Sequence, residues 1–459
     1  MHNKLYWLIP LSLWLAACTQ VQETTLPNGL RVIVKEDHRS PVVVSQVWYK
    51  IGSQDEPQGL TGISHVLEHM MFKGTAQHGP NEFSRIIAEN GGRENAFTSY
   101  DYTSYFQQLE KSRLPVSFEL EADRMHNLTL ADEEFRKEIK VVMEERRLRT
   151  EDQPEALVSE KFMATAYTAH NYKNPVIGWM PDLEKMTVED VRTWYRRWYT
   201  PDNAILVVVG DVKPDEVFAL AKKYFGPVPS RPPDKTVTAS EPKQDKERRT
   251  HVAAPAEVPY LILGYHTPVH TSVGKGGDAP EWEPYALTVL AGVLDGGQAS
   301  RFERELVREK KIAANADVDY SAVSRSPNLL AIDGTPANGH NLGELEQAIH
   351  AQIERIKAEP VSTEELKRVK AQVVAANVYS RDSVFYQAMQ VGRLAAIGLD
   401  WRMLDEYVQR VNAVTAEQVQ AVARKYLVDS NLTVAVLDPL PIDKAKRRRA
   451  PRMGGGDVR

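Results

Sequence analysis

Thr187-Val-Glu-Asp-Val-Arg-Thr-Trp-Tyr-Arg-Arg-Trp-Tyr-Thr-Pro-Asp-Asn203, running on into Ala204-Ile-Leu-Val-Val-Val-Gly-Asp211, decides the fold because the chain carries it twice. The second copy is Thr415-Ala-Glu-Gln-Val-Gln-Ala-Val-Ala-Arg-Lys-Tyr-Leu-Val-Asp-Ser-Asn431, running into Leu432-Thr-Val-Ala-Val-Leu-Asp-Pro439. The offset is constant at 228 (415 − 187 and 431 − 203). Each copy opens on Thr with Glu two residues later, a helix-start signal. Apolar residues at helical spacing follow, then an Asn-containing turn and a run of apolar β-formers. Convergent patterning mimics a single helix–strand pair, but coincidence at Thr, Glu, Val, Arg and Asn under one offset argues for duplication. The prediction is an α+β chain of two homologous α/β-sandwich domains in tandem, at 19–230 and 257–440. Between them, 231–256 is rich in Pro, Ser and charge and reads as a linker. Long helices are expected at 131–150 and 362–394.

The bulk properties agree. A length of 459 residues suits two or three domains. Hydrophobic residues at 42% and charged residues at 26% exclude a disordered, collagenous or multi-span membrane chain. Lys plus Arg number 57 against 62 Asp plus Glu, a net charge of −5 that does not argue for nucleic acid. One cysteine excludes an intrachain disulfide and a Cys-rich metal site, so any metal must sit on His, Asp or Glu.

The chemistry lies in Gly59-Leu-Thr-Gly-Ile-Ser-His65-Val-Leu-Glu68-His69-Met-Met-Phe-Lys-Gly-Thr75. On a helix, His65 and His69 share a face and offer two imidazoles to one ion. Neutral imidazole suits zinc, and Glu68 lies near the same face, where its carboxylate reaches a water at the ion. Leu67 and Met71 are expected in the core. His-x-x-Glu-His arises by chance in about one chain in fifty of this length, so it needs support. A catalytic zinc requires a third protein ligand and an open position. In 131–150, Glu138 and Glu145 stand two turns apart on one face, while Glu144 points about 100° away, toward solvent. A charged, exposed helix face is the alternative for that segment taken alone.

These stretches resemble the pitrilysin/insulinase family of zinc peptidases, the inverzincins, and within it the bacterial relatives of the mitochondrial processing peptidase. The resemblance extends to Gly52-Ser-Gln-Asp-Glu-Pro, to Gly91-Gly-Arg-Glu-Asn95-Ala-Phe-Thr98 before Asp101-Tyr-Thr103, and to Leu294-Asp-Gly-Gly-Gln-Ala-Ser-Arg301. It implies half of a clamshell and one Zn2+ per chain on His65, His69 and Glu145. It implies Glu68 as proton acceptor and donor, and Glu138 as the acid that holds a ligating histidine by its free N–H. Residues 95–99 are similar to the family's edge strand, so Asn95, Ala96 and Phe97 are expected to bind extended peptide backbone. Arg308 aligns with a family Arg that helps hold substrate, and the family's Tyr seven residues later is Asn315 here. Tyr320 lies five residues further on, where only a shifted loop would recruit it. Losing such a donor costs about 100-fold in rate. Either this chain is slow alone or a partner supplies the group. The family closes its clamshell from four such domains and this chain carries two, so the resemblance implies a dimer, homo- or heteromeric, in which a second family subunit supplies an Arg/Tyr pair. A non-catalytic assembly subunit of the same fold is the competing reading, and the filled metal and base positions weigh against it.

The second half keeps no such site. Its helix counterpart of Glu145 falls near Ala376, and Pro268 between His266 and His270 marks a strand end. At the N-terminus, Lys4 and an apolar run from Leu5 to Leu15 lead to Leu15-Ala-Ala-Cys18. This resembles a bacterial lipobox, with 1–18 as a lipoprotein signal, Cys18 lipidated and the protein anchored in the periplasm, at the outer membrane given Thr19. An ordinary secretory signal is the alternative. The basic, Gly-rich 441–459 reads as a disordered tail.

Overall fold

Both apolar runs that follow the repeated helices become interior strands, one in each of two sheets. The computed structural model describes residues 21–232, 239–274 and 279–442. The expected signal segment with Cys18, and nearly all of the expected tail, lie outside them. The first half carries strands β1 (Val21–Thr25), β2 (Arg31–Glu36), β3 (Val42–Tyr49), β4 (Arg93–Thr98), β5 (Thr103–Glu110) and β6 (Ala204–Gly210). Its helices are α1 (Ile63–Met70), α2 (Glu82–Glu89), α3 (Leu114–His126), α4 (Asp132–Arg146), α5 (Pro154–Ala166), α6 (Met180–Leu183), α7 (Val188–Trp198) and α8 (Pro214–Tyr224). The second half carries β7 (Arg248–Pro255), β8 (Tyr260–Thr267), β9 (Ala313–Tyr320), β10 (Asn328–Pro336) and β11 (Leu432–Leu440). Its helices are α9 (Glu283–Asp295), α10 (Leu342–Ala358), α11 (Thr363–Ser380), α12 (Val384–Ala396), α13 (Met403–Ala413) and α14 (Ala416–Tyr426).

The first sheet is ordered β1-β2-β6-β3-β5-β4 and the second β7-β11-β8-β10-β9, so β4 and β9 are both edge strands. The repeated helices α7 and α14 start on matching caps. Thr187 and Thr415 each accept the backbone N–H three residues on, which satisfies a donor the helix itself leaves open. Trp194, Tyr195, Trp198 and Tyr199 are buried in the first core, as their spacing predicts.

Two expectations change. The helix over 362–394 is two helices, α11 and α12, with the second capped by Ser383. The break lets the chain leave its own half: Ala388, Val391 and Ala395 of α12 cover the outer face of the first sheet, against Ile33, Val44, Trp48, Ile205, Val207 and Val209. Gly392 meets Trp48 so closely that a Cβ there would lie 2.2 Å from the indole. Helix α5 repays this in the opposite direction, setting Val158, Phe162 and Ala166 against Ile262, Ala435 and Leu437 of the second sheet. Each fully buried large apolar side chain contributes about 1.5–3 kcal/mol, so either face is a large share of a net stability of about 5–15 kcal/mol. The linker also contains structure. Residues 248–255 form β7, paired in parallel with β11, where Arg248, Val252 and Ala254 turn in toward α5, Arg248 donating to the Ala166 carbonyl at 2.6 Å, while Arg249 and His251 face outward.

Candidate metal centre

Helix α1 begins at Gly62, whose φ of +85° suits glycine and offers no side-chain cap. Glu56 takes that role from outside the helix, accepting the N–H groups of Gly62 (2.7 Å) and Ser64 (2.8 Å). Burial pushes the Glu56 carboxyl up to about 8 against those two bonds. Val66, Leu67, Met70 and Met71 anchor α1 in the core as expected, which turns His65, Glu68 and His69 to the opposite side. Helix α4 packs against α1 and presents Glu138 and Glu145 from one face, two turns apart. Glu144 points outward and pairs with Arg147.

The two imidazole rings lie 4.7 Å apart, and one ligand atom each from His65, His69 and Glu145 fall within 4.8 Å of one another. Glu145 Oε2 is 3.3 Å from His69 Nε2 and 3.9 Å from His65 Nε2. Three ligands about 2.0–2.1 Å from one tetrahedral centre stand about 3.3 Å from each other, so the donor set fits zinc with a small inward adjustment of His65. Among the described residues this is the one His/Cys/Asp/Glu group of that kind.

The surroundings fix each donor. His69 Nδ1 donates to Glu138 Oε1 at 2.9 Å, which leaves the Nε2 lone pair facing the cavity. Glu138 is held in turn by Lys73 Nζ at 2.7 Å. Burial opposes charge on His69, yet Glu138 and Glu145 raise it to about 9, so a metal binding at Nε2 displaces a proton from that atom. Burial holds His65 down to about 4, in the neutral form a metal requires. Glu145 is kept ionised below its ordinary range by the two histidines and Arg149, against burial. Its Oε1 meets Arg149 Nη1 at 2.5 Å, where the chain beyond α4 widens into a π turn over Arg147–Glu151. Glu68 is raised by burial, and its Oε2 accepts the Thr98 hydroxyl at 2.5 Å.

A cavity of about 680 Å³ opens over this group. Asn95, Ala96, Phe97 and Thr98 of the edge strand β4 form one wall. Asn95 Oδ1 accepts the N–H of Ala96 at 2.8 Å, so its side chain turns to its own backbone. Arg308 does not line the cavity; it donates to the Gln298 carbonyl and lies 3.6 Å from Glu303. Asn315 bonds Asp317 and the N–H of Thr335, and Tyr320 donates to the Pro268 carbonyl. Neither is brought to the cavity. His266 donates to the Ala166 carbonyl across the two halves, not to a metal face.

Sequence reasoning missed Lys73, Thr98, Arg149 and Glu56 as supports. Arg149 stands four residues after Glu145, a spacing that signals contact on a helix, whereas Lys73, just past α1, reaches Glu138 on another helix and no local spacing marks it. Thr98 sat inside the recognised edge-strand stretch. Nothing local marked Glu56, because it caps a helix it does not belong to.

Comparison with known proteins gives the same answer over most of the chain. Residues 31–179 match the family model described as insulinase (peptidase family M16), and residues 185–373 match the peptidase M16 inactive domain. A zinc protease from Helicobacter pylori, PqqE, is 32% identical over 91% of this chain and 93% of its own. The uncharacterized zinc protease YmxG of Bacillus subtilis is 27% identical over 91% of this chain and 98% of its own. The crystal structure of a protease from Helicobacter pylori superposes with a TM-score of 0.86 at 31% identity, covering 92% of this chain and all of that one. The first half of the periplasmic protease PqqL from Escherichia coli shares the fold, with a TM-score of 0.76 at 20% identity over 96% of this chain and 98% of that one. With an inverted histidine–glutamate pair on one helix, a carboxylate brought up by another, and relatives that match about nine-tenths of its length, this chain belongs to the insulinase (peptidase M16) family.

Proposed function

We propose that the chain is a zinc metalloendopeptidase of the cell envelope that hydrolyses short or unfolded peptides. The observation that carries this is the meeting of His65, His69 and Glu145 in one cavity, beside Glu68 and along an open strand edge. Zinc held there would supply Lewis acidity toward a water molecule and the scissile carbonyl. Thr98 occupies Glu68 Oε2, so Oε1 is the oxygen that accepts the proton of the attacking water. Glu68 then delivers that proton to the leaving amine. Burial keeps the base poised above an ordinary carboxylate. Strand β4 receives the peptide as an added strand, which requires an extended chain and explains the preference for unfolded substrates. Glu138 and Lys73 hold His69 in the tautomer that faces the ion.

Arg308 lies away from this chain's own cavity, which supports a role across a dimer rather than within one subunit. In that arrangement a second family subunit supplies the Arg/Tyr pair that Asn315 interrupts here. Envelope location rests on the lipobox at Cys18 and on the relative described as periplasmic. Among the described residues no helix is long and apolar enough to cross a membrane, which is compatible with an anchor at the N-terminus.

The test is metal analysis together with a quenched-peptide assay on wild type and Glu68→Gln, each with and without a candidate partner chain. Glu68→Gln is expected to keep one zinc and to lose about 10²- to 10⁴-fold in turnover. Turnover at the wild-type level would remove Glu68 as the base. In bacterial cells that express the chain, Cys18→Ser should abolish its labelling by a fatty-acid analogue.

A further inference from the structure

Among the described residues the second half has no metal-binding cluster of its own, yet its β9–β10 loop reaches the point where the site is assembled. Asp101, 5% exposed, is the junction. Its Oδ1 accepts Gln54 Nε2 and the Tyr172 hydroxyl, both at 2.6 Å, and its Oδ2 accepts the backbone N–H of Arg325 at 2.9 Å. The Arg325 guanidinium pairs with Asp55 Oδ2, which also accepts the Gly52 N–H at 3.1 Å. The loop is itself held from the other side, since Arg393 of α12 donates to Ser321 Oγ and the Val323 carbonyl, both at 2.7 Å.

What these bonds hold is the turn 53–55, which faces two ways. Toward the peptide strand, the N–H groups of Ser53 and Gln54 donate to the carbonyls of Ser99 (3.1 Å) and Tyr100 (3.0 Å), directly after β4. Toward the metal helix, the next residue is Glu56, the cap of α1. One turn therefore sets the spacing between the strand that receives a peptide and the helix that carries His65, Glu68 and His69. We propose that Arg325 is a positioning residue: through Asp55 and Asp101, the second half fixes peptide strand and metal helix in register. This rests on the peptidase reading given above.

A strand that still pairs with peptide but sits off register loses rate rather than affinity, and a displacement of 1 Å costs about 100-fold. The full chain is compared as wild type, Arg325→Ala, Arg325→Lys and the milder Tyr172→Phe. For Arg325→Ala we expect one zinc per chain, KM within about threefold of wild type and kcat lower by about 10- to 100-fold. Arg325→Lys, which keeps a cation for Asp55, should recover most of kcat. Independently of activity, hydrogen exchange at the Ser53 and Gln54 amides should quicken by about tenfold or more. Tyr172→Phe should show the same pattern more weakly, and it decides the matter if Arg325→Ala does not fold. The proposal is overturned if kcat stays within twofold in the folded variants, if zinc is lost in step with kcat, or if Lys recovers nothing. A wild-type chain that cleaves no peptide would sink the peptidase reading and this inference with it, whereas an active wild type with indifferent variants sinks this one alone.

Discussion

Replacing Glu138 with Ala isolates the part of the site that touches the metal through another residue. In the native chain His69 Nδ1–H donates to Glu138 at 2.9 Å, and Lys73 completes the contact at 2.7 Å. Alanine removes the acceptor, so the imidazole is free to place its proton on Nε2 and must then give it up to bind an ion. A hydrogen bond to a charged partner contributes about 1.5–3 kcal/mol, which converts to about 10- to 100-fold. The same range is expected for removing the acid behind a ligating histidine. Zinc affinity measured by competition with a chromogenic chelator should therefore fall 10- to 100-fold. At saturating zinc kcat should return to within about fivefold of wild type, because Glu68 and Thr98 are untouched. A shift in zinc affinity of less than threefold, or full zinc occupancy with kcat lost, would refute the argument that Glu138 works by fixing the His69 ring.

Gly392→Ala tests the exchanged helix, since the added methyl meets Trp48 at 2.2 Å; overpacking of that kind costs about 1–3 kcal/mol and should lower Tm by several degrees. His270 is held near 4 by burial alone, against about 6.5 in the unfolded chain. The unfolded form thus takes up the proton first, so stability is intact above pH 6.5 and falls as pH drops from about 6.5 to about 4, by up to about 2–3 kcal/mol. His270→Gln should flatten that slope in denaturant titrations across the same window, and an unchanged slope would discount the group.

The helix–strand repeat made the duplication visible because each copy bears local signals, a Thr cap and an Asn turn, that act within a few residues. The metal helix was legible for the same reason, as i, i+4 spacing on one face puts His65 and His69 together whatever surrounds them. Glu145 was different: its distance from His69 in sequence carries no geometry, and only resemblance linked them. The break at 381–383 escaped notice because no Gly or Pro marks it, and what separates α11 from α12 is a change of partner, from helices α9 and α13 to the first sheet. Strand β7 was hidden by its own composition. Arg248, Arg249 and His251 read as linker, while pairing with β11 supplies the order that its few apolar residues do not. Asp101 and Arg325 act through tertiary contacts between segments up to 270 residues apart, and no local pattern announces such bonds.

The crossing of α5 and α12 sets a schedule for biosynthesis. Gly210 completes the first sheet, but the helix that shields its outer face ends at Ala396. At a synthesis rate of about 5–20 residues per second, Trp48 and its neighbours wait on the order of 10–40 s for their cover. During that interval the nascent first half offers a sticky face to any passing chain. Holding factors that bind greasy β-surfaces should be found on it until the final third of the polypeptide emerges.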